Sequence, residues 1–244
     1  MSDEASIRRW SDDLANASPG EVVAWAARTF GAELTLACSF SLEDAVVVDL
    51  WAHVAQPRLF ALDTGRLPEE TFVAAEALAS RYDLRIEWYH PEAASVEQLL
   101  VTKGPLSFRD SLDNRHECCR IRKVEPLARA LQGRSAWLTG LRRDQNTTRA
   151  GIGVVDWDDT HRLPKVNPLA TWTRAEVEAY AAANGVPVHP LHRQGYPSIG
   201  CAPCTRAVRP GEPERAGRWW WESPEHKECG LHLRQTVDPS AANI

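Results

Sequence analysis

No stretch of this 244-residue chain is apolar for long enough to cross a bilayer, and its first residues, Met1-Ser2-Asp3-Glu4, lack the basic-then-apolar order of a secretory leader. Both absences lead us to expect a cytoplasmic protein with no membrane partner. Basic charge is not in excess either: 28 Lys and Arg stand against 33 Asp and Glu, a formal net charge of -5. A general nucleic-acid or membrane-surface binder carries the opposite sign, so no nucleic-acid partner is expected, and an anionic ligand must meet a local basic patch. Cysteine is sparse. Six residues fall far below the density of a disulfide scaffold, and clustered cysteines in a reducing compartment read as metal-binding or redox groups. No internal repeat or low-complexity segment interrupts the chain.

What is there reads as alternating strands and helices. The segments 33–38, 58–62, 84–89 and 136–140 have the apolar character of buried strands, and 154–157 with 161–166 reads as a hairpin at the sheet edge. Helices are expected over 5–16, from Ser18 to Gly31, over 45–55, 68–82 and 117–131, and from Thr173 to Asn184-Gly185. Ser18-Pro19-Gly20-Glu21 and Thr173-Arg174-Ala175-Glu176 carry capping signals. This order predicts an α/β fold, a mostly parallel twisted sheet with helices on both faces, Rossmann-like, with ligands bound outside the carboxyl ends of the strands. Residues 1–185 form the expected α/β domain, and 186–244, rich in Pro, Gly, Arg and Trp, form an irregular segment. Three turns fall at strand ends: Ser39-Phe40-Ser41, Asp63-Thr64-Gly65 and Arg142-Arg143. The first offers backbone N–H groups and hydroxyls to an anion; the second also reads as a plain aspartate-capped turn.

Four cysteines form two pairs, Cys118-Cys119 and Cys201-Ala202-Pro203-Cys204. Brought together they would make a four-sulfur site for zinc or an iron-sulfur cluster. Neighbours on a helix point about 100° apart, so Cys118 and Cys119 suit a multi-iron cluster better than one small ion. Arg120, Arg122 and Lys123 follow directly. Cys38, at the end of a buried strand, reads as a small core residue. Cys229, followed by glycine and flanked by Lys227, His226 and His232, reads as a reactive thiol.

The Cys-Cys pair followed by Arg122-Lys123, the distant Cys201-x-x-Cys204 and the terminal Glu228-Cys229-Gly230-Leu231-His232 together resemble the assimilatory adenylyl-sulfate (adenosine 5′-phosphosulfate) reductases. The resemblance runs from the first strand to Cys229. It implies the fold of the adenine nucleotide alpha hydrolase group and reduction of adenosine 5′-phosphosulfate to sulfite and AMP. It also implies a 4Fe-4S cluster, thioredoxin as reductant and a homo-oligomer. Carried over by position, it assigns Cys118, Cys119, Cys201 and Cys204 to the cluster and Cys229 to nucleophilic catalysis. Lys123, Arg215 and Arg218 fall to the phosphosulfate. Ser39, Ser41, Asp63, Thr64, Gly65, Arg142 and Arg143 fall to the nucleotide site. The chain departs from the glycine-rich turn of ATP-cleaving relatives, since Phe40 and Leu42 stand where glycines would cradle a pyrophosphate, which argues against ATP cleavage.

Three rivals remain open at this level. Reduction of the 3′-phosphorylated nucleotide is the nearest, although relatives dedicated to it generally lack the cysteine pairs. A cluster-dependent tRNA sulfur-transferase is opposed by the net negative charge and the missing glycine loop. A zinc-stabilised binding module, using the Arg/Trp-rich segment to grip a partner, is opposed by the adjacent cysteines and the reactive tail.

Overall fold

The computed structural model describes residues 4–223 together with Lys227 and Leu231. Six strands, β1 (Leu34–Ala37), β2 (Leu59–Leu62), β3 (Ile86–Tyr89), β4 (Ala136–Leu138), β5 (Val155–Asp158) and β6 (Leu163–Val166), form one sheet in the order β3-β2-β1-β4-β6-β5. All neighbours pair in parallel except the β5–β6 hairpin at one edge. The expected α/β fold is therefore the observed one. Strand order reverses between β1 and β4: from β1 the chain steps outward to β2 and β3, then returns to the other side. Such a reversal opens a crevice at the carboxyl ends of the strands.

Eight α-helices accompany the sheet among the described residues: α1 (Glu4–Asp13), α2 (Pro19–Phe30), α3 (Leu42–Ala52), α4 (Glu69–Tyr82), α5 (Ala93–Lys103), α6 (Leu112–Cys119), α7 (Glu125–Ala130) and α8 (Arg174–Asn184). The two capping boxes form as the sequence predicts. Ser18 N–H donates to Glu21 Oε2 at 2.7 Å and Thr173 N–H to Glu176 Oε2 at 2.7 Å, and Gly185 ends α8 with φ 61°. No helix is long and apolar enough to cross a membrane among the described residues.

Helix α3 is buried on every side, from Leu42 to Trp51, although it carries three acids. A buried carboxylate is tolerated only with partners, and each of the three has them. Asp49 accepts from the hydroxyls of Tyr82 at 2.8 Å and Tyr180 at 2.7 Å, which ties α3 to α4 and α8. Glu43 meets Arg142, and Asp44 folds back on the serine turn. The helix begins at Leu42, three residues before the expected start, because Glu43 and Asp44 suit the positive end of its dipole.

The expected helix 117–131 is the larger departure. It starts at Leu112, with Ser111 Oγ accepting from Asn114 N–H at 3.1 Å, and opens into a π-helical turn over Arg120–Val124 before α7. Pro126 supplies the reason. Its ring clashes with the carbonyl four residues back and it has no N–H to donate, and a wider turn is one way for a helix to pass a proline.

Beyond Gly185 the described residues hold two short 3₁₀ turns, Pro190–Gln194 and Ala202–Cys204, and fold back where Thr205 pairs with Arg218. Contacts fasten it to the sheet domain: Ala202 N–H donates to Arg66 O at 2.8 Å, and His189 Nε2 lies 3.1 Å from Thr71 Oγ1.

Candidate active site

Three strand ends meet at the reversal of strand order, around a cavity of about 190 Å³. Cys38 to Ser41 with Glu43 and Asp44 line it after β1, Leu62 and Thr64 after β2, and Thr139, Gly140 and Leu141 after β4. The irregular segment closes the other side with Ser198, Gly200, Glu214, Arg215 and Arg218, and Lys123 reaches in from the wide turn.

Of the residues the sequence assigns to substrate, Ser39, Ser41, Thr64, Lys123, Arg215 and Arg218 line this cavity; Asp63, Gly65, Arg142 and Arg143 stand outside its lining. Asp63 Oδ1 accepts from Gly65 N–H at 2.8 Å and closes the turn that carries Thr64, and Gly65 sits at φ 68°, where a side chain would be strained. Arg143 is exposed, with Nε donating to Ile152 O at 2.8 Å. Arg142 is wholly buried. Its Nε and Nη2 donate to Glu43 Oε1 at 3.0 and 2.9 Å, Nη2 also donates to Glu214 Oε2 at 3.0 Å, and Nη1 pairs with Asp144.

The serine turn differs from the open anion cradle the sequence suggests. Asp44 Oδ2 accepts from Ser39 N–H and Ser39 Oγ, both at 2.6 Å, and from Ser41 Oγ at 3.4 Å, while His192 Nε2 accepts the first N–H of α3, from Leu42, at 3.2 Å. These donors are already engaged within the protein. Phe40 stands at φ 61°, a backbone shape suited to glycine, and its buried ring stacks 5.6 Å from Trp88. Cys38 is buried as expected, and burial, followed by the charge of Asp44, pushes its thiol well up.

Burial likewise raises the Asp44 carboxyl to about 6, against the lowering effect of the Ser39 hydrogen bonds. The folded chain then holds this proton more tightly than the unfolded chain does. Stability from this group is full below the unfolded pKa near 4 and is lost as pH rises through about 6. Asp44→Asn cannot ionise and should lack that loss. Urea titrations should show the unfolding free energy of the variant gaining about 2–3 kcal/mol on wild type between about pH 4 and pH 8; parallel profiles would refute the assignment.

A second cavity lies behind the first, and Lys123 borders both. Cys118 and Cys119 from the end of α6 and Cys201 and Cys204 from the irregular segment line it, all buried, together with Arg66, Arg115, Arg122 and Trp219. No three His, Cys, Asp or Glu side chains converge tightly enough to hold a single metal ion among the described residues. Burial raises the Cys118 thiol, and that of Cys204 to about 11. Burial also opposes ionisation of Cys201, but the charge of Lys123, a 3.3 Å contact with Thr64 Oγ1 and the charges of Arg218 and Arg66 outweigh it, and this thiol falls below its usual range. Nε of Arg122 and Nε1 of Trp219 are buried with no hydrogen-bond partner among the described residues. The guanidinium groups of Arg115 and Arg218 stack on Trp219, 4.7 and 4.6 Å from its ring centre. Gly200 admits this packing, since a Cβ there would overlap the Arg218 guanidinium.

Sequence reasoning missed Asp44, Gln145 and Arg149 in the first cavity and Arg66, Arg115 and Trp219 in the second. Arg115 had a usable signal: it precedes Cys118 and Cys119 by three and four residues, the spacing of one helical face. Cys229 lies outside the described residues, but Lys227 and Leu231 flank it. Arg215 Nη2 donates to Lys227 O at 2.8 Å, Lys227 Nζ donates to Ala216 O at 3.1 Å, and Leu231 lines the first cavity.

The sheet order and the cleft at its reversal define a nucleotide-binding type of α/β protein, and residues 33–207 match the family model of the phosphoadenosine phosphosulfate reductase domain. The chain is 50% identical to an adenosine 5′-phosphosulfate reductase of Allochromatium vinosum over 211 residues, 85% of this chain and 82% of that one. It is 52% identical over 174 residues to the protein of the same name from Rhizobium tropici, covering 71% and 97% of the two chains. Among solved structures, the phosphoadenylyl-sulfate (PAPS) reductase of Candida auris in a phosphate complex superposes with a TM-score of 0.72 at 30% identity, over 85% of this chain and 98% of that one. The chain belongs to the adenosine 5′-phosphosulfate reductase family.

Proposed function

We propose that this chain reduces adenosine 5′-phosphosulfate to sulfite and AMP in cytoplasmic sulfate assimilation, with thioredoxin as reductant and Cys229 as nucleophile. One observation carries this reading. Lys227 and Leu231 are each two residues from Cys229 in sequence; Leu231 lines the cleft, and the Lys227 carbonyl accepts from Arg215, itself a cleft residue, at 2.8 Å.

In the first step the Cys229 thiolate attacks the sulfur of the phosphosulfate. A bond forms between the two sulfurs, the bond from that sulfur to the bridging phosphate oxygen breaks, and AMP leaves with the electron pair. Negative charge grows on the departing phosphate, and Lys123, Arg215 and Arg218 neutralise it in a partly dehydrated cleft. Ser39, Ser41 and Thr64 border the nucleotide, and Asp63 with Gly65 shapes the turn that carries Thr64. In the second step a thioredoxin thiolate attacks the Cys229 sulfur and sulfite leaves. The other thioredoxin thiol then closes a disulfide and returns Cys229 to its thiol, so thioredoxin supplies both electrons.

The second cavity suits a 4Fe-4S cluster held by Cys118, Cys119, Cys201 and Cys204. Four buried thiols surround one space, they do not converge on a single ion, and unpartnered N–H donors of Arg122 and Trp219 are positioned for a buried anionic group. When bound, the cluster supplies a cross-link from the segment 186–223 to the sheet domain and a fixed charge beside Lys123.

The test is to mix the protein with adenosine 5′-phosphosulfate, omit reductant, and read the intact mass. One sulfonate should appear on Cys229 and should leave as sulfite when thioredoxin is added. Active, cluster-loaded protein that forms no adduct would defeat the mechanism.

A further inference from the structure

Arg142 is assigned to substrate by resemblance, yet its charge is spent elsewhere. Three of its nitrogens donate to carboxylates: Glu43 on α3, Glu214 on the irregular segment, and Asp144 in its own turn. Its side chain has no exposure and it does not line the cleft, whereas Glu43 and Glu214 both do. Arg174, at the start of α8, backs the same pair, 3.8 Å from Glu43 and 3.5 Å from Glu214. Gln145 Nε2 adds a bond to Glu43 Oε1 at 3.1 Å. The sheet domain thus presents a buried cation that pairs with Glu43 within that domain and with Glu214 on the irregular segment.

Glu214 immediately precedes Arg215, and Arg218 follows within one short loop whose Nη1 donates to Ile199 O at 2.9 Å. Arg215 in turn holds Lys227 O. Whatever fixes Glu214 therefore fixes where both arginines stand and where the chain leading to Cys229 begins. A buried ion pair contributes little net stability but punishes the loss of one partner, so it suits the task of specifying a single arrangement.

We propose that Arg142 is a positioning residue that latches the carboxyl-terminal basic segment across the cleft through Glu43 and Glu214. This rests on the reading of the cleft as the adenosine 5′-phosphosulfate site. Glu214 acts through the loop it holds: its carboxylate pairs with Arg142, and Arg215 and Arg218 meet the anion.

A double-mutant cycle in the cluster-loaded protein tests it, with Arg142→Lys and Glu214→Gln alone and together, assayed with adenosine 5′-phosphosulfate, thioredoxin and thioredoxin reductase. Both replacements keep a polar side chain of similar size, and melting temperatures identify any variant that fails to fold. The latch predicts that each single variant raises KM by about tenfold with a much smaller change in kcat. It also predicts that the double variant is little worse than either single one, since both remove one interaction. Glu214→Asp should recover part of the loss. If Arg142 instead held substrate directly, Arg142→Lys would raise KM while Glu214→Gln left it unchanged, and the proposal would fail. Lower melting temperatures with unaltered KM and kcat would reduce the network to packing and also overturn it. A wild-type protein that turns no substrate over would remove the underlying functional reading, a result distinct from either of these.

Discussion

Cys229→Ser is expected to stop sulfite formation, with a loss on the order of 10⁴-fold or more, while AMP still binds. Serine keeps the shape of the side chain but not its chemistry. A hydroxyl stays protonated at neutral pH and is a poor nucleophile toward sulfur, whereas a thiol with pKa of about 8.5 is partly ionised and is brought lower by nearby positive charge. Arg215, Arg218 and Lys123 line the cleft in which the proposed reaction runs. The second step fails as well, because a thioredoxin thiolate would find no sulfur to attack. Sulfite release and AMP calorimetry on the same preparation separate chemistry from binding. Turnover above about a tenth of wild type would place the nucleophile elsewhere, a rate that loss of the attacking group does not permit.

Cys201→Ser should have the second largest effect, through the group the four cysteines are proposed to hold. Among these thiols Cys201 is drawn toward the thiolate form by Lys123, Thr64, Arg218 and Arg66 despite its burial. A serine there offers a poor ligand to iron in a buried, cation-rich cavity. Iron content and visible absorbance should fall to a small fraction of wild type. Stability should fall too, by several kcal/mol, because metal-site binding energy is folding energy where a segment has little core of its own. The segment that carries Cys201 and Cys204 has few buried apolar side chains: Val186, Leu191, Ile199 and Trp219. Proteolysis should therefore cut the variant first within 186–223. A colourless wild-type protein with one zinc per chain would sink the cluster and leave the four thiols as a closed structural site.

The sheet was legible in the sequence because its strands are short apolar runs ended by turn residues, and the reversal of strand order follows once the hairpin is set at the edge. Both capping boxes were legible for the same reason: they are local, with all partners within three residues. The roles at the cleft were less so. Asp44 reads as an ordinary first-turn acid, and its grip on Ser39 depends on a backbone turn in which Phe40 takes a left-handed conformation. Arg142 sits at a strand end like a ligand residue, and only the approach of Glu43, 99 positions earlier, and of Glu214, 72 positions later, shows where its charge goes. Pairings of that range leave no periodic trace. The four cysteines were legible as a set because their chemistry is rare, even though the segment between the pairs gave no hint of how the chain returns.

The wide turn at Arg120–Val124 has a further consequence. A π-helical turn is equivalent to one extra residue inserted into an α-helix, and each residue advances the helix by about 100°. Upstream of it, α6 aims Cys118 and Cys119 at one cavity; downstream, α7 packs Leu127 and Ala130 against Phe60 and Trp137 of the sheet. The inserted residue works as a phase shifter between these two faces. With it, Arg122 and Lys123 are turned inward between the cavities. Without it, a continuous helix could keep its docking on the sheet or the aim of its cysteines, but not both.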